Sequence, residues 1–148
     1  MAHALNETRI SAKLLISAYV LMPDHYHIIT DSERKPSETL RYLNGISAKR
    51  VLDHLKAKAT SSLEKLRMSE KQRGYKYTVW EHHPDTFRIT NERTLKEKVF
   101  YIHHNPVKAG LVADPDEYLY SSSRIWNRRS MDDEPLTMDL DKIEWRRY

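Results

Sequence analysis

The sequence predicts an α+β domain built on a small antiparallel sheet, and three observations carry that expectation. An apolar, β-branched run, LLISAYVLM at 14–22, is followed by the turn-forming Pro23-Asp24 and then by a second strand-like run, HYHIIT. Two later stretches, around 40–55 and 91–105, space their apolar residues at helical intervals. A short apolar run, YTVW at 77–80, lies between them, giving the order strand, strand, helix, strand, helix.

Each element has a local justification. Residues 1–13 are polar and mildly helical, with no clear core face. The two apolar runs around Pro23-Asp24 read as an antiparallel hairpin. After the charged turn DSERKPSE, Pro36 and Ser37 suit the start of a helix whose stripe is Leu40, Leu43, Val51 and Leu55. Arg41, Lys49, Arg50 and Lys56 lie mostly off that stripe. Residues 56–76 offer only Leu63, Leu66 and Met68 as anchors and fit either an exposed helix or a loop. EHHPDTF interrupts the strand at 77–80. Asn91 suits the cap of the second helix, which Asn105-Pro106 ends because proline disfavours a helical residue before it. Turn-rich sequence with aromatic anchors follows. The expected organisation is one domain over 1–130 and an acidic polar tail over 131–148, where six acidic side chains face three basic ones.

Composition excludes several chemistries. The 148 residues suit one domain with a core of its own. The absence of cysteine removes disulfide frameworks, thiol nucleophiles and cysteine-based zinc sites, and fits a cytoplasmic protein. The three glycines, Gly45, Gly74 and Gly110, are too far apart to write a glycine-rich phosphate loop, so no nucleotide cofactor is expected. The run at 14–22 falls short of the ~20 residues that span a bilayer, so no membrane association is expected either. Net charge is +4, but residues 34–76 hold twelve basic and four acidic side chains. Such a block suits an anionic polymer, and equally the solvated face of a helix.

Histidine is the unusual residue, with six of eight in the close pairs His25/His27, His82/His83 and His103/His104. His25 and His27 are two apart in a predicted strand, so both imidazoles leave one face of the sheet while Tyr26 leaves the other. Two neutral imidazoles held so can share one divalent ion. Alone, H-x-H is a weak pattern. On the second helix Tyr101 and Asn105 are four apart and share a face with Lys98 and Thr94, while Leu95, Val99 and Ile102 form an apolar stripe about a quarter-turn away. A helical tyrosine is more often a packing residue than a nucleophile, and a phenol needs a metal and a base to attack at neutral pH. His103 and His104 sit at a helix end where positive charge suits the dipole. Ser121 to Ser123 lack a nucleophile-elbow context.

AYVLMPDHYHIIT resembles the signature of the HUH endonucleases of the single-strand transposase type. VWEHH, YIHHNPVKAGLV and DPDEYLYSSSRIW are similar in order and spacing to the C-terminal half of the REP-associated tyrosine transposases and their insertion-sequence relatives. The similarity covers about residues 14–126. It implies a ferredoxin-like or RRM-like antiparallel sheet with helices packed on one face. Family members carry a strand and a longer helix before the AYVLMP block, so the first strand is expected to be missing: either the chain is a truncated or mis-started copy, or another chain or segment fills the gap. The resemblance further implies cleavage of single-stranded DNA at hairpin-flanked sites by transesterification, with Tyr101 as nucleophile and a 5′-phosphotyrosine intermediate. His25, His27 and Asn105 would hold Mg²⁺ or Mn²⁺. Expected partners are single-stranded and hairpin DNA, with a homodimer as the other candidate association. Candidate phosphate contacts are Arg41, Lys49, Arg50, Lys108 and Arg124, joined by Arg128 and Arg129 near the tail. Tyr75, Tyr77 and Trp80 are candidate stacking residues. The competing expectation is a catalytically inactive, truncated or domesticated hairpin DNA-binding protein.

Overall fold

A computed structural model describes residues 1–59, 61–67, 76–80 and 84–144. The expected Tyr75 and His82/His83 lie outside the described residues. The elements run α1 (Ala2–Ser11), β1 (Leu15–Leu21), β2 (Tyr26–Asp31), α2 (Pro36–Ala57), α3 (Ser62–Lys65), α4 (Glu92–His103), α5 (Asn105–Lys108), a 3-10 turn (Pro115–Glu117), α6 (Ser123–Trp126) and a second 3-10 turn (Leu140–Lys142). The architecture is α+β, on a two-stranded antiparallel sheet among the described residues.

β1 and β2 pair from Leu15↔Asp31 to Leu21↔Tyr26, with an irregularity between Ile16 and Ala18. Ser17 is the extra residue of this bulge, and it lets Ile16 and Tyr19 share a face despite their odd spacing. Ile16, Tyr19 and Leu21 pack with Leu5 of α1, Leu43 of α2 and Leu136. Ala18 and Val20 point the other way, onto Leu95, Val99 and Ile102 of α4. Helices therefore cover both faces, α1 and α2 on one and α4 on the other. The expectation of helices on one face holds for the first two alone, because β1 is apolar at every position but Ser17 and presents two faces to bury.

Several local expectations change. α1 has a core face after all, made by Ala4, Leu5 and Thr8, two of which are too small or polar to register as a stripe. YTVW forms a single bridge, Tyr77 to Arg67, rather than a strand. Its aromatic residues find partners elsewhere: Trp80 stacks edge-on against Tyr26 at 5.0 Å and donates its indole N–H to Ser47 Oγ of α2 at 2.9 Å.

The edge of β1 away from β2 is closed by the chain's own later segments. Leu21 N–H reaches Tyr120 C=O at 2.8 Å and Ser122 N–H reaches Tyr19 C=O at 3.0 Å. Side chains complete the bonding of this edge beside those backbone contacts. Ser122 Oγ accepts Tyr19 N–H at 2.9 Å, and Asp139 accepts Ile16 N–H at 3.1 Å while its own N–H binds Ile16 C=O at 2.8 Å. Trp126 donates its indole N–H to Ser17 C=O at 2.8 Å. Satisfying these buried backbone groups is obligatory. The acidic segment after 130 thus places Leu136 and Asp139 in the interior. Asp139 is held there by both Nε and a terminal nitrogen of Arg9.

Candidate functional site

The site lies where the start of β2 meets the solvent side of α4. Asn91 caps α4 as expected, its Oδ1 accepting Thr94 N–H at 2.9 Å. Burial of Leu95, Val99, Ile102 and His103 fixes the rotation of the helix and leaves Tyr101 45% exposed. His103 sets this docking further, its Nε2 lying 2.8 Å from Ser122 Oγ at the β1 edge. Burial pushes the His103 imidazole down to about 4, keeping it neutral near pH 7. The Ser122–His103 contact is not a hydrolytic pair, since Ser122 is fully buried and bound to the β1 backbone.

β2 carries His27 toward α4. Tyr26 points to the opposite face, where its phenol donates to Asn44 Oδ1 of α2 at 2.7 Å. The His25 and His27 ring centroids lie 5.1 Å apart, and His27 meets the Tyr101 ring edge-on at 5.8 Å. Two imidazoles each about 2 Å from one ion have centroids roughly 4.5–5.5 Å apart, so the pair fits a shared divalent ion. Desolvation first, and then the neighbouring His25, lower the His27 pKa, which keeps its lone pair available. Asp24 Oδ1 lies 2.7 Å from His25 Nδ1. The hydrogen bond to His25 holds the Asp24 carboxyl below its usual range and leaves Nε2 as the His25 ring nitrogen that Asp24 does not engage. Sequence reasoning treated Asp24 as a turn residue only; its signal was adjacency to His25.

Asn105 begins α5, at the break imposed by Pro106. Proline has no N–H for Ile102 C=O, and Asn105 Nδ2 turns back to Tyr101 C=O at 2.9 Å and Ile102 C=O at 3.4 Å. This bond uses the amide nitrogen, so a metal ligand from Asn105 would be its Oδ1. Among the described residues no three His, Cys, Asp or Glu side chains cluster as a metal site. Two ammoniums flank the Tyr101 ring, Lys108 Nζ at 4.6 Å and Lys98 Nζ at 5.9 Å.

Of the expected phosphate contacts, only Lys108 is placed at Tyr101. Arg41 is exposed on α2. Lys49 pairs with Asp53 at 2.9 Å, and both Nε and a terminal nitrogen of Arg50 bond Glu7 at 2.7 Å. Arg124 corrects the sequence expectation: it is buried and holds Glu134 through bonds of 3.0 and 2.9 Å, so it contributes no exposed charge. Arg128 is exposed, and Arg129 lies 3.2 Å from Asp116. On the other flank of α4 a cavity of about 530 Å³ is lined by Phe100, His103, His104, Asp116 and Trp126 among others. Its Asp116 is engaged by Ser123, Asn127 and Arg129. Among the described residues no helix is long and apolar enough to cross a membrane.

No protein-family model and no curated protein matches the sequence. A solved structure of a REP-associated tyrosine transposase bound to a REP hairpin matches with a TM-score of 0.60 and 18% identity, over 99% of this chain and 76% of that one. At that identity the likeness is one of fold, and the α+β architecture built here on β1 and β2 is the fold that the two chains share.

Proposed function

We propose that the chain is a metal-dependent single-strand DNA endonuclease of the transposase type, cutting and rejoining DNA beside a hairpin. The observation that carries this reading is the approach of the His27 ring to Tyr101 at 5.8 Å, which joins the H-x-H block to the tyrosine helix. The fold likeness to a transposase bound to a hairpin supports a partner of the same kind.

In this mechanism the Tyr101 phenol oxygen attacks the scissile phosphorus. Its bond to phosphorus forms as the bond to the 3′ oxygen breaks; the phenol loses its proton and the departing oxygen gains one. The products are a 5′-phosphotyrosine and a 3′-hydroxyl, and attack by a 3′-hydroxyl reverses the step without ATP because one phosphodiester replaces another. Lys98 and Lys108 hold the phosphate beside the phenol. His25 and His27, with Asn105 Oδ1, hold Mg²⁺ or Mn²⁺, and imidazole donors favour Mn²⁺. When bound, the ion supplies Lewis-acid charge at the phosphate.

The test is to incubate the full chain with a labelled hairpin oligonucleotide carrying single-stranded flanks and Mn²⁺. A denaturant-resistant adduct that Tyr101→Phe cannot form is expected. An adduct undiminished in that variant overturns the assignment of the nucleophile. Salt-sensitive binding without cleavage under either metal overturns the enzyme and leaves the inactive hairpin-binding protein.

A further inference from the structure

We infer that Phe87 and Lys98 form a stacking subsite for the unpaired nucleotide next to the phosphate that Tyr101 attacks, an inference that rests on the reading of Tyr101 just given. Phe87 lies in the irregular stretch before α4, keeps 63% of its surface in water and belongs to neither core cluster. A single exposed aromatic side chain is ordinary on a protein surface. What distinguishes this one is its setting. Lys98 Nζ sits 4.6 Å over the Phe87 ring and 5.9 Å from the Tyr101 ring, so a single ammonium bridges the two. Lys108 Nζ, 4.6 Å over Tyr101, extends the row.

Three elements thus contribute an alternation of ring, cation, ring and cation in space. In single-stranded DNA each base adjoins a phosphate, and Phe87 beside Lys98 matches that pair, with the phenol of Tyr101 facing the phosphate that Lys98 and Lys108 share. The Phe87 ring offers a face to an unpaired base, and the Lys98 ammonium meets the backbone charge beside it. Phe87 adjoins Lys98, so the base it receives belongs to the nucleotide joined through the phosphate at Lys98. Every base has a π-face, so this subsite supplies affinity and orientation rather than sequence preference.

The test uses the full chain carrying Tyr101→Phe, to prevent turnover, and hairpin oligonucleotides with 2-aminopurine placed at successive positions of the single-stranded flank. Quenching of 2-aminopurine at one flank position is expected. Adding Phe87→Ala abolishes that quenching and weakens binding about 10-fold, while Phe87→Trp retains both. Absence of quenching at every position, or quenching that survives Phe87→Ala, overturns the subsite. The adduct assay on the otherwise unchanged chain separates the two readings. An adduct without Phe87-dependent quenching sinks this inference and leaves the nucleophile standing, whereas Phe87-dependent quenching without an adduct upholds the subsite and sinks cleavage.

Discussion

His27 meets Tyr101 edge-on, with ring planes at 74°, although one belongs to a strand near the N-terminus and the other to α4. The contact exists because β1 is buried on both faces, which brings α4 onto the face that β2 uses for His27. If it marks a shared site, His27→Ala lowers the rate of adduct formation roughly 100-fold or more at fixed Mn²⁺. His27 is only half-buried, so the thermal midpoint should change little. A rate within a few-fold of the parent would remove His27 from the site.

Asp24 acts through His25. Asp24→Asn keeps the shape of the side chain but loses the charge that orients the imidazole, and Mn²⁺ affinity is expected to fall about 10- to 100-fold. Isothermal titration with Mn²⁺ reads this directly, and cleavage should recover at high Mn²⁺. A loss of cleavage with unchanged Mn²⁺ affinity would assign Asp24 to something other than ligand positioning.

What the sequence made legible was local. The hairpin, the Pro36 start of α2, the Asn91 cap and the apolar stripe of α4 each depend on a few neighbouring residues whose chemistry admits one backbone arrangement. The approach of His27 to Tyr101 came from the resemblance of whole blocks, not from any spacing. Charge misled wherever it was buried. Arg124 and Asp139 read as solvent-facing, yet each is paired in the interior with a partner far away or in another element. Burial of an ion pair depends on tertiary partners, which periodicity does not encode. The face of α1 was hidden because Ala4 and Thr8 carry little hydrophobic signal.

Tyr19 is fully buried, and among the described residues its phenol oxygen has no hydrogen-bond partner. Burial pushes the phenol above its ordinary range. A buried hydroxyl without a partner carries an uncompensated desolvation cost, so Tyr19→Phe should be neutral or stabilising by about 1 kcal/mol. Chemical denaturation with an unchanged m-value would establish this. A clear loss of stability would mean that the phenol has an unseen partner, such as an internal water.

Asp139 is the acidic group on which the β1 edge depends most. Its carboxylate accepts two bonds from Arg9, one from Ile16 N–H and one from Lys142 Nζ at 3.2 Å. The bond with Arg9 contributes most to pulling its pKa from 3.8 down to about 2. Because the folded value is the lower one, the unfolded chain binds more protons between these two values, and the unfolding free energy rises with pH there. The contribution is complete above about pH 5 and is lost as pH falls through 3.8 toward 2. Asp139→Asn keeps the shape and can still accept Ile16 N–H, but it leaves Arg9 uncompensated, and should cost about 2–4 kcal/mol at neutral pH. Other carboxylates titrate in the same range, so the informative quantity is the stability difference between parent and variant, measured by denaturation at a series of pH values. That difference should be constant from neutral pH to about pH 5 and shrink toward pH 2, whereas a gap that stays constant down to pH 2 would show that the charge of Asp139 does not hold the edge.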